Sequence, residues 1–412
     1  MNYKKLLLNR LLDKFERSKS YLDASVSRRI MLKLGSSDYP EYDIENSATR
    51  EIVNLAVIEL NKKGILGYEW HKYERGNIMH RVWLQLDRVE DAYQEAGRIA
   101  KSKKAAHVLD MVRKSKETIS TAWIKEFLED AESGISERRS VAPYFPDDCK
   151  VTGAILTALE AIDQNINEEF LERVFSLKCY GESKYFEKNV KHKIVRLIKK
   201  YLIKEDYDSG LLSEDEVLAQ VGIVKAPELI EFAGSMQARL SGKAVDFAIF
   251  HHGVALNSYT ASELEIADLS AVHKVLFIEN KANYIDYLAK KRAEDELVVF
   301  HGGFYSPAKG QFFQKIYDSV LKEKTQFYHW GDIDLGGFRM FHRLRKDIIP
   351  ELKPFLMDKE ALLAKKDYWI SLDKNYKKEL EKLLSMDEYA LFHEVIRLML
   401  RSDCRLEQEA FL

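Results

Sequence analysis

Between residues 272 and 349 short apolar runs alternate with amphipathic ones, and this alternation constrains the chain more than any other feature. Residues 274–278, 297–300 and 326–330 have strand length, and helical spacing follows each of them, near 284–294, 311–324 and 338–348. A β-α-β-α-β-α order predicts a parallel sheet with helices on its faces. Sheets of this kind bind ligands beyond the carboxyl ends of their strands. The residues there are Glu279-Asn280-Lys281, His301-Gly302-Gly303 and the run from Gly331 to Gly337, which contains Asp332 and Asp334.

Three carboxylates, Glu279, Asp332 and Asp334, thus converge from two strands. Like charges about 4 Å apart repel by roughly 4 kcal/mol per pair at an effective dielectric near 20. A divalent cation offsets that repulsion. All-oxygen ligation, with neither cysteine nor a tight histidine cluster, points to Mg²⁺ or Mn²⁺, one or two per subunit, rather than zinc. Mg²⁺ shares its coordination shell with substrate phosphate oxygens, so a phosphate ester is the expected substrate. The plainer reading of Asp-x-Asp is a helix cap, with Asp334 capping the helix that starts near Gly337. The position after a strand, the flanking glycines and the matched Glu279 favour the metal. Lys281 and Arg339 read as phosphate contacts or as surface charges. His301 sits at a strand end within reach of a phosphate, whereas His329 reads as a satisfied core histidine.

The rest of the chain narrows the setting. With 64 Lys+Arg against 66 Asp+Glu the formal net charge is −2, so the protein is not basic throughout. No apolar run approaches the ~18 residues of a membrane helix, and neither a span nor a signal peptide is expected. Cys149, Cys179 and Cys404 are too dispersed for a disulfide framework or zinc ribbon, which fits the reducing cytoplasm. Helices are expected over 3–16, 25–34 and 47–63, and strands over 65–70 and 78–86 around Arg75-Gly76-Asn77. That set is a winged-helix candidate whose thin basic wing, Lys72, Arg75 and Arg81, suits nucleic acid or protein. Residues 89–171 read as mostly helical and polar, an arm broken by Pro143 and Pro146. Within 184–204, Lys184, Lys188, Lys191, Lys193, Arg196, Lys199, Lys200 and Lys204 face the single acid Glu187. Such a run is either a solvated helix face or a phosphate-contacting one. An acidic stretch, 205–216, precedes short strands expected over 245–250 and 253–256.

A strand ending in Glu and a later strand ending in Asp-x-Asp resembles the Toprim arrangement of topoisomerases, primases and some nucleases. More closely, 275–284 (VLFIENKANY), 299–304 (VFHGGF) and 329–337 (HWGDIDLGG) resemble the JetD family of the Wadjet plasmid-defence system. Residues 175–184 and 405–409 are also similar to segments of that family. The resemblance implies an α/β plus mostly helical chain like the A subunit of type IIB topoisomerases. Its parts would be a winged-helix-like start of an arm domain (1–104), the helical remainder of the arm (105–180), a winged helix of the catabolite-activator type (181–270) and a C-terminal Toprim domain (271–412). It further implies a homodimer acting on double-stranded circular plasmid DNA with a condensin-like SMC partner complex, and no membrane. Glu279, Asp332 and Asp334 would be both catalytic and metal-binding. DNA would be gripped by Lys184, Lys188, Lys191, Lys193, Arg196, Lys199, Lys200, Lys281 and Arg339, with His301 as a further phosphate contact. In the topoisomerases a winged-helix tyrosine attacks DNA. Tyr201, Tyr207 and Tyr259 lie in the comparable region without matching that motif, which argues for hydrolysis. A silent Toprim domain in a regulatory subunit, a topoisomerase-like transesterase and a small-molecule phosphohydrolase remain alternatives. Asp286, Glu407 and Glu409 are further acids available to a second metal.

Overall fold

Each apolar run of the alternating segment becomes a strand of one six-stranded sheet in the computed structural model, which describes residues 2–23, 25–26, 28–165, 168–204 and 212–412. In chain order the strands are β1 (Leu229–Ala233), β2 (Val254–Asn257), β3 (Lys274–Ile278), β4 (Glu296–Phe300), β5 (Gln326–Trp330) and β6 (Lys353–Pro354). Their order across the sheet is β6-β5-β3-β4-β1-β2. β3 pairs in parallel with both β5 and β4, which places Ile278 opposite Trp330 on one side and Phe300 on the other. β1 and β2 extend the sheet in antiparallel fashion.

Three helices follow the parallel strands: α1 (Lys281–Lys290), α2 (Pro307–Ser319) and α3 (Leu335–Asp347). Each begins where its sequence supplies a cap. The side chains of Asn280, Ser306 and Asp334 accept first-turn backbone N–H groups, and Pro307 fills the first position of α2, where no N–H is needed. Val275, Leu276, Phe277 and Ile278 are all fully buried, as expected of a central strand covered on both faces. Phe277 meets Phe313 of α2 edge-on at 5.1 Å, and Phe338 and Phe341 of α3 pack on Phe392 at 4.5 and 4.9 Å. The predicted strand bounds 274–278 and 326–330 coincide with those observed. The strand expected over 245–250 covers only Lys243–Asp246, because the Asp246 carboxylate caps a 3₁₀ turn, Phe247–Ile249, and Phe247 turns into the core.

The chain divides into two compact units, Met1–Leu156 and Thr157–Leu412. The first has its own core, in which Leu7, Leu8 and Leu11 of helix Tyr3–Glu16 and Val53 and Val57 of helix Ser47–Lys62 meet a three-stranded sheet. The helix expected over 25–34 is not formed. Ile30–Lys33 is instead a strand, antiparallel to Met79–Leu84, and it buries Ile30 and Leu32 opposite Leu84 and Val82 while Lys33 points to solvent. Alternate-residue burial against an existing hairpin wins over any local helical preference. This part of the chain therefore has two long helices, a single turn at Lys19–Leu22 and a three-stranded sheet, in place of three helices and a hairpin. The helical character expected beyond residue 89 appears as Val89–Ala96, Lys101–Thr118, Ala122–Arg138 and Cys149–Gln164, but the last two are less polar than expected, burying Phe127 and Leu128 in one and Ile155 and Leu159 in the other.

The basic run forms a continuous helical rod that changes pitch, with a π-helical stretch Phe186–Val190, an α-helix Lys191–Leu197 and a second π-helical stretch Ile198–Ile203. Its most deeply buried residues, Phe186, Val190, Ile194 and Ile198, recur every fourth position. On an α-helix such a row drifts by about 40° per step. The wider turns absorb the drift and keep the row against one wall. Among the described residues no helix is long and apolar enough to cross a membrane.

Truncating Phe277 to Ala leaves a void in the middle of the sheet. The expected cost is about 3–5 kcal/mol of unfolding free energy, read by urea denaturation with a probe confined to the second unit.

Candidate active site

The register of β3 and β5 sets the site. The backbone N–H of Glu279 donates to Trp330 O at 2.9 Å, so the first residue beyond β3 stands level with the end of β5. There the chain continues as Gly331-Asp332-Ile333-Asp334. A Cβ on Gly331 would run into the Glu279 carboxylate, so the glycine makes room for the acid itself. A Cβ on Gly337 would collide with the backbone of Asp332, so the close turn into α3 also depends on a glycine.

Each carboxylate is held by a backbone N–H. That of Asp332 reaches the Glu279 carboxylate. That of Gln408 donates to Asp332 Oδ1 at 2.6 Å, and that of Gly337 donates to Asp334 Oδ1 at 2.8 Å. Asp334 therefore caps α3, as the plainer reading had it, while its other oxygen lies 3.4 Å from the Arg405 guanidinium. The Oε2 of Glu279 is buried with no hydrogen-bond partner. Burial, reinforced by the charges of Asp332 and Asp334, holds the Glu279 carboxyl well above the usual range. Burial and then Asp334 push Asp332 up to about 7.

The segment that completes the site is 405–409, which the sequence marks by its similarity to the family and by the acids Glu407 and Glu409, but not by Gln408. Residues Leu406 and Ile333 exchange two backbone hydrogen bonds, which bring 405–409 across the ends of β3 and β5. Gln408, fully buried, accepts the Asn280 N–H at 2.9 Å, donates to Trp330 O at 3.2 Å and receives Asn283 on its carbonyl at 2.8 Å. Glu409 accepts the Asn280 side-chain amide at 2.6 Å. Tyr376 adds its hydroxyl to the Leu335 N–H at 2.8 Å. Glu407 and Glu409 both bear on Asp332 electrostatically, whereas Asp286 is paired with Lys290 at the end of α1 and with Lys291 just beyond it.

The other expected contacts are distributed differently. His301 is fully buried, stacked on Phe313 and 5.1 Å from His329, so its ring does not reach the surface where a phosphate would lie. His329 is a core residue as expected but not a satisfied one, since neither ring nitrogen of either histidine has a partner. Lys191 turns inward to Glu172 at 3.0 Å and Asp215 at 3.1 Å, and Arg339 is buried beside Glu379 at 3.7 Å. These two cations are engaged within the fold. Lys184, Lys188, Arg196 and Lys200 are exposed, Lys193 and Lys199 half-buried, and Lys281 is exposed and paired with Glu231.

The donor set suits a hard divalent cation: three carboxylates, an orphaned Oε2 and no cysteine. Among the described residues no three His, Cys, Asp or Glu side chains already stand at metal-ligand spacing. A cation that keeps several waters and takes only one or two carboxylates does not need a closed cage.

Residues 233–412 match the family described as Wadjet protein JetD, C-terminal. The whole chain is 27% identical over 421 residues to Wadjet protein JetD of Bacillus cereus (strain Q1), covering 100% of this chain and 99% of that protein. The chain is thus similar to JetD from end to end, and the resemblance carried by its motifs is borne out.

The raised carboxyls make stability depend on pH when no cation is bound. A folded-state pKa above the unfolded value means that the folded protein binds the extra proton, so stability falls as pH rises from about 4 to about 7. In chelator, melting temperature should therefore rise as pH is lowered from 8 to 6. Asp332→Asn should raise it at pH 8 and flatten that slope; equal slopes in the two proteins would mean that the pH dependence arises from other groups.

Proposed function

We infer that this chain is the DNA-cleaving subunit of a plasmid-defence system of the Wadjet type. It would be a metal-dependent endonuclease that hydrolyses phosphodiester bonds of closed circular DNA at Glu279, Asp332 and Asp334. The observation that carries this reading is the convergence of three backbone-anchored carboxylates at the ends of two parallel strands, with one carboxylate oxygen buried and unpartnered. The full-length similarity to JetD supports a defence-system subunit with partners in the same system. Under this reading 271–412 is a Toprim domain, 181–270 a winged helix, and 1–104 and 105–180 the arm that docks an SMC-type complex.

Mg²⁺ or Mn²⁺, when bound, supplies Lewis-acid stabilisation of the phosphodiester and acidifies a water ligand. The chain's own residues do the rest. Glu279, whose carboxyl holds a proton more tightly than usual, is placed to take one from the attacking water near neutral pH. The Gln408 N–H fixes one oxygen of Asp332, and Arg405 offsets the charge of Asp334. One site per subunit cuts one strand, so a homodimer makes a double-strand break.

A tyrosine nucleophile has less support. Tyr201 is buried, Tyr207 lies outside the described residues, Tyr259 is exposed but stands in no segment that matches the topoisomerase motif, and the Tyr376 hydroxyl accepts the Leu335 N–H.

The test is conversion of supercoiled plasmid to linear product by purified protein in Mg²⁺ or Mn²⁺, with and without SMC partners. Asp332→Ala and chelator should each abolish the linear band, the substitution by ~100-fold or more, since even the loss of a metal ligand's partner typically costs about 10–100-fold. DNA bound but never cut would select the silent regulatory reading, and a covalent protein–DNA adduct the transesterase.

A further inference from the structure

With His301 buried, the loop after β4 still presents chemistry for an anion. The backbone N–H of His301 donates to Ile278 O at 2.8 Å, so residues 301–303 leave the sheet one strand, or ~4.8 Å, to the side of Glu279. Gly302 and Gly303 both take left-handed backbone angles, with φ of +63° and +53°. Neither glycine N–H donates to a backbone carbonyl among the described residues, and unengaged N–H groups in a turn are available to an anion. A Cβ on Gly302 would meet the Phe300 ring at 3.0 Å and the Lys309 ammonium at 3.4 Å, whereas one on Gly303 would meet nothing within 4 Å. The loop is therefore bounded by a cation on one side and open on the other.

Lys309 has no hydrogen-bond or ion-pair partner for its ammonium among the described residues; that group lies 5.7 Å from the centre of the Phe300 ring. The carboxylates whose field reaches it are engaged elsewhere: Glu228 by the Ser306 hydroxyl, Glu231 by Lys281, and Glu216 by Ser213. Lys281 lies over the same Phe300 ring at 4.5 Å. Burial pulls the Lys309 ammonium below its ordinary pKa, the mark of a charge with too little company.

We propose that Lys309 and the Gly302-Gly303 backbone form a subsite for a phosphodiester of the nucleic-acid strand next to the one facing the carboxylates, with Lys281 as its outer cation. The subsite deepens the nuclease reading and rests on it for the identity of the strand. Three adjacent strand ends would then divide the work, with carboxylates beyond β5 and β3 and a metal-free phosphate holder beyond β4. The competing account is structural: Lys309 merely rests on Phe300.

Binding in chelator separates the two, because it requires no turnover. Full-length protein is titrated into a fluorescent duplex by anisotropy at a series of KCl concentrations. Loss of one phosphate contact lowers the slope of log K against log [salt] by about 0.9 and weakens unrelated sequences alike. Lys309→Gln should show both effects, and Lys309→Arg should restore the slope. Gly303→Asp should weaken binding more than Gly303→Asn, since both residues tolerate left-handed angles and only one adds charge. A Lys309→Gln protein with a lower melting temperature but the wild-type slope overturns the subsite and leaves the nuclease reading standing. Wild-type protein that binds no duplex under any salt condition overturns both.

Discussion

The mutual repulsion of Glu279, Asp332 and Asp334 is the constraint around which the second unit is organised. Carboxylates do not gather in a half-buried place unless the backbone compels them, and here it does. Parallel pairing fixes the level of the two strand ends, two glycines remove the side chains that would hold them apart, and three N–H groups each claim one acid. The Asp332 carboxyl is raised by burial and by Asp334, as expected where acids are brought together out of water. Stability is spent to keep charge concentrated, as at other preorganised sites.

Asp334 shows that a structural and a chemical role need not compete. One oxygen caps α3 while the other lies toward Arg405, so capping orients the carboxylate instead of consuming it. The Asp-x-Asp spacing follows from the same geometry. Asp332 lies two residues before the cap, where the chain leaves β5, and the intervening Ile333 is buried and bonded to Leu406.

The parts of the fold legible in the sequence were those governed by a single rule. β3 and β5 matched to the residue because continuous apolar runs of strand length have few other uses in a sheet covered on both faces. The strand Ile30–Lys33 was hidden, since its fate is decided by Met79–Leu84 far along the chain. The same distinction separates the carboxylates from their neighbours. Position at a strand end reveals an acid that must face solvent or metal, yet it does not say which way the His301 ring turns. The charge of Lys191 or Arg339 is visible in the sequence, but the partners that neutralise it, Glu172, Asp215 and Glu379, are not adjacent to it. Gln408 is neutral and belongs to no chemical motif, and only the folded chain shows that four of its hydrogen bonds meet at the site.

That last feature bears on the order in which the protein is made. Gln408 follows Asp332 by 76 residues, so a chain emerging from the ribosome carries all three acids well before it carries the group that anchors Asp332. Until then Asp332 lacks the N–H that fixes its Oδ1, although strand pairing and the Gly337 N–H already place the other two acids. The site therefore reaches its full set of hydrogen bonds only once 405–409 has crossed the ends of β3 and β5.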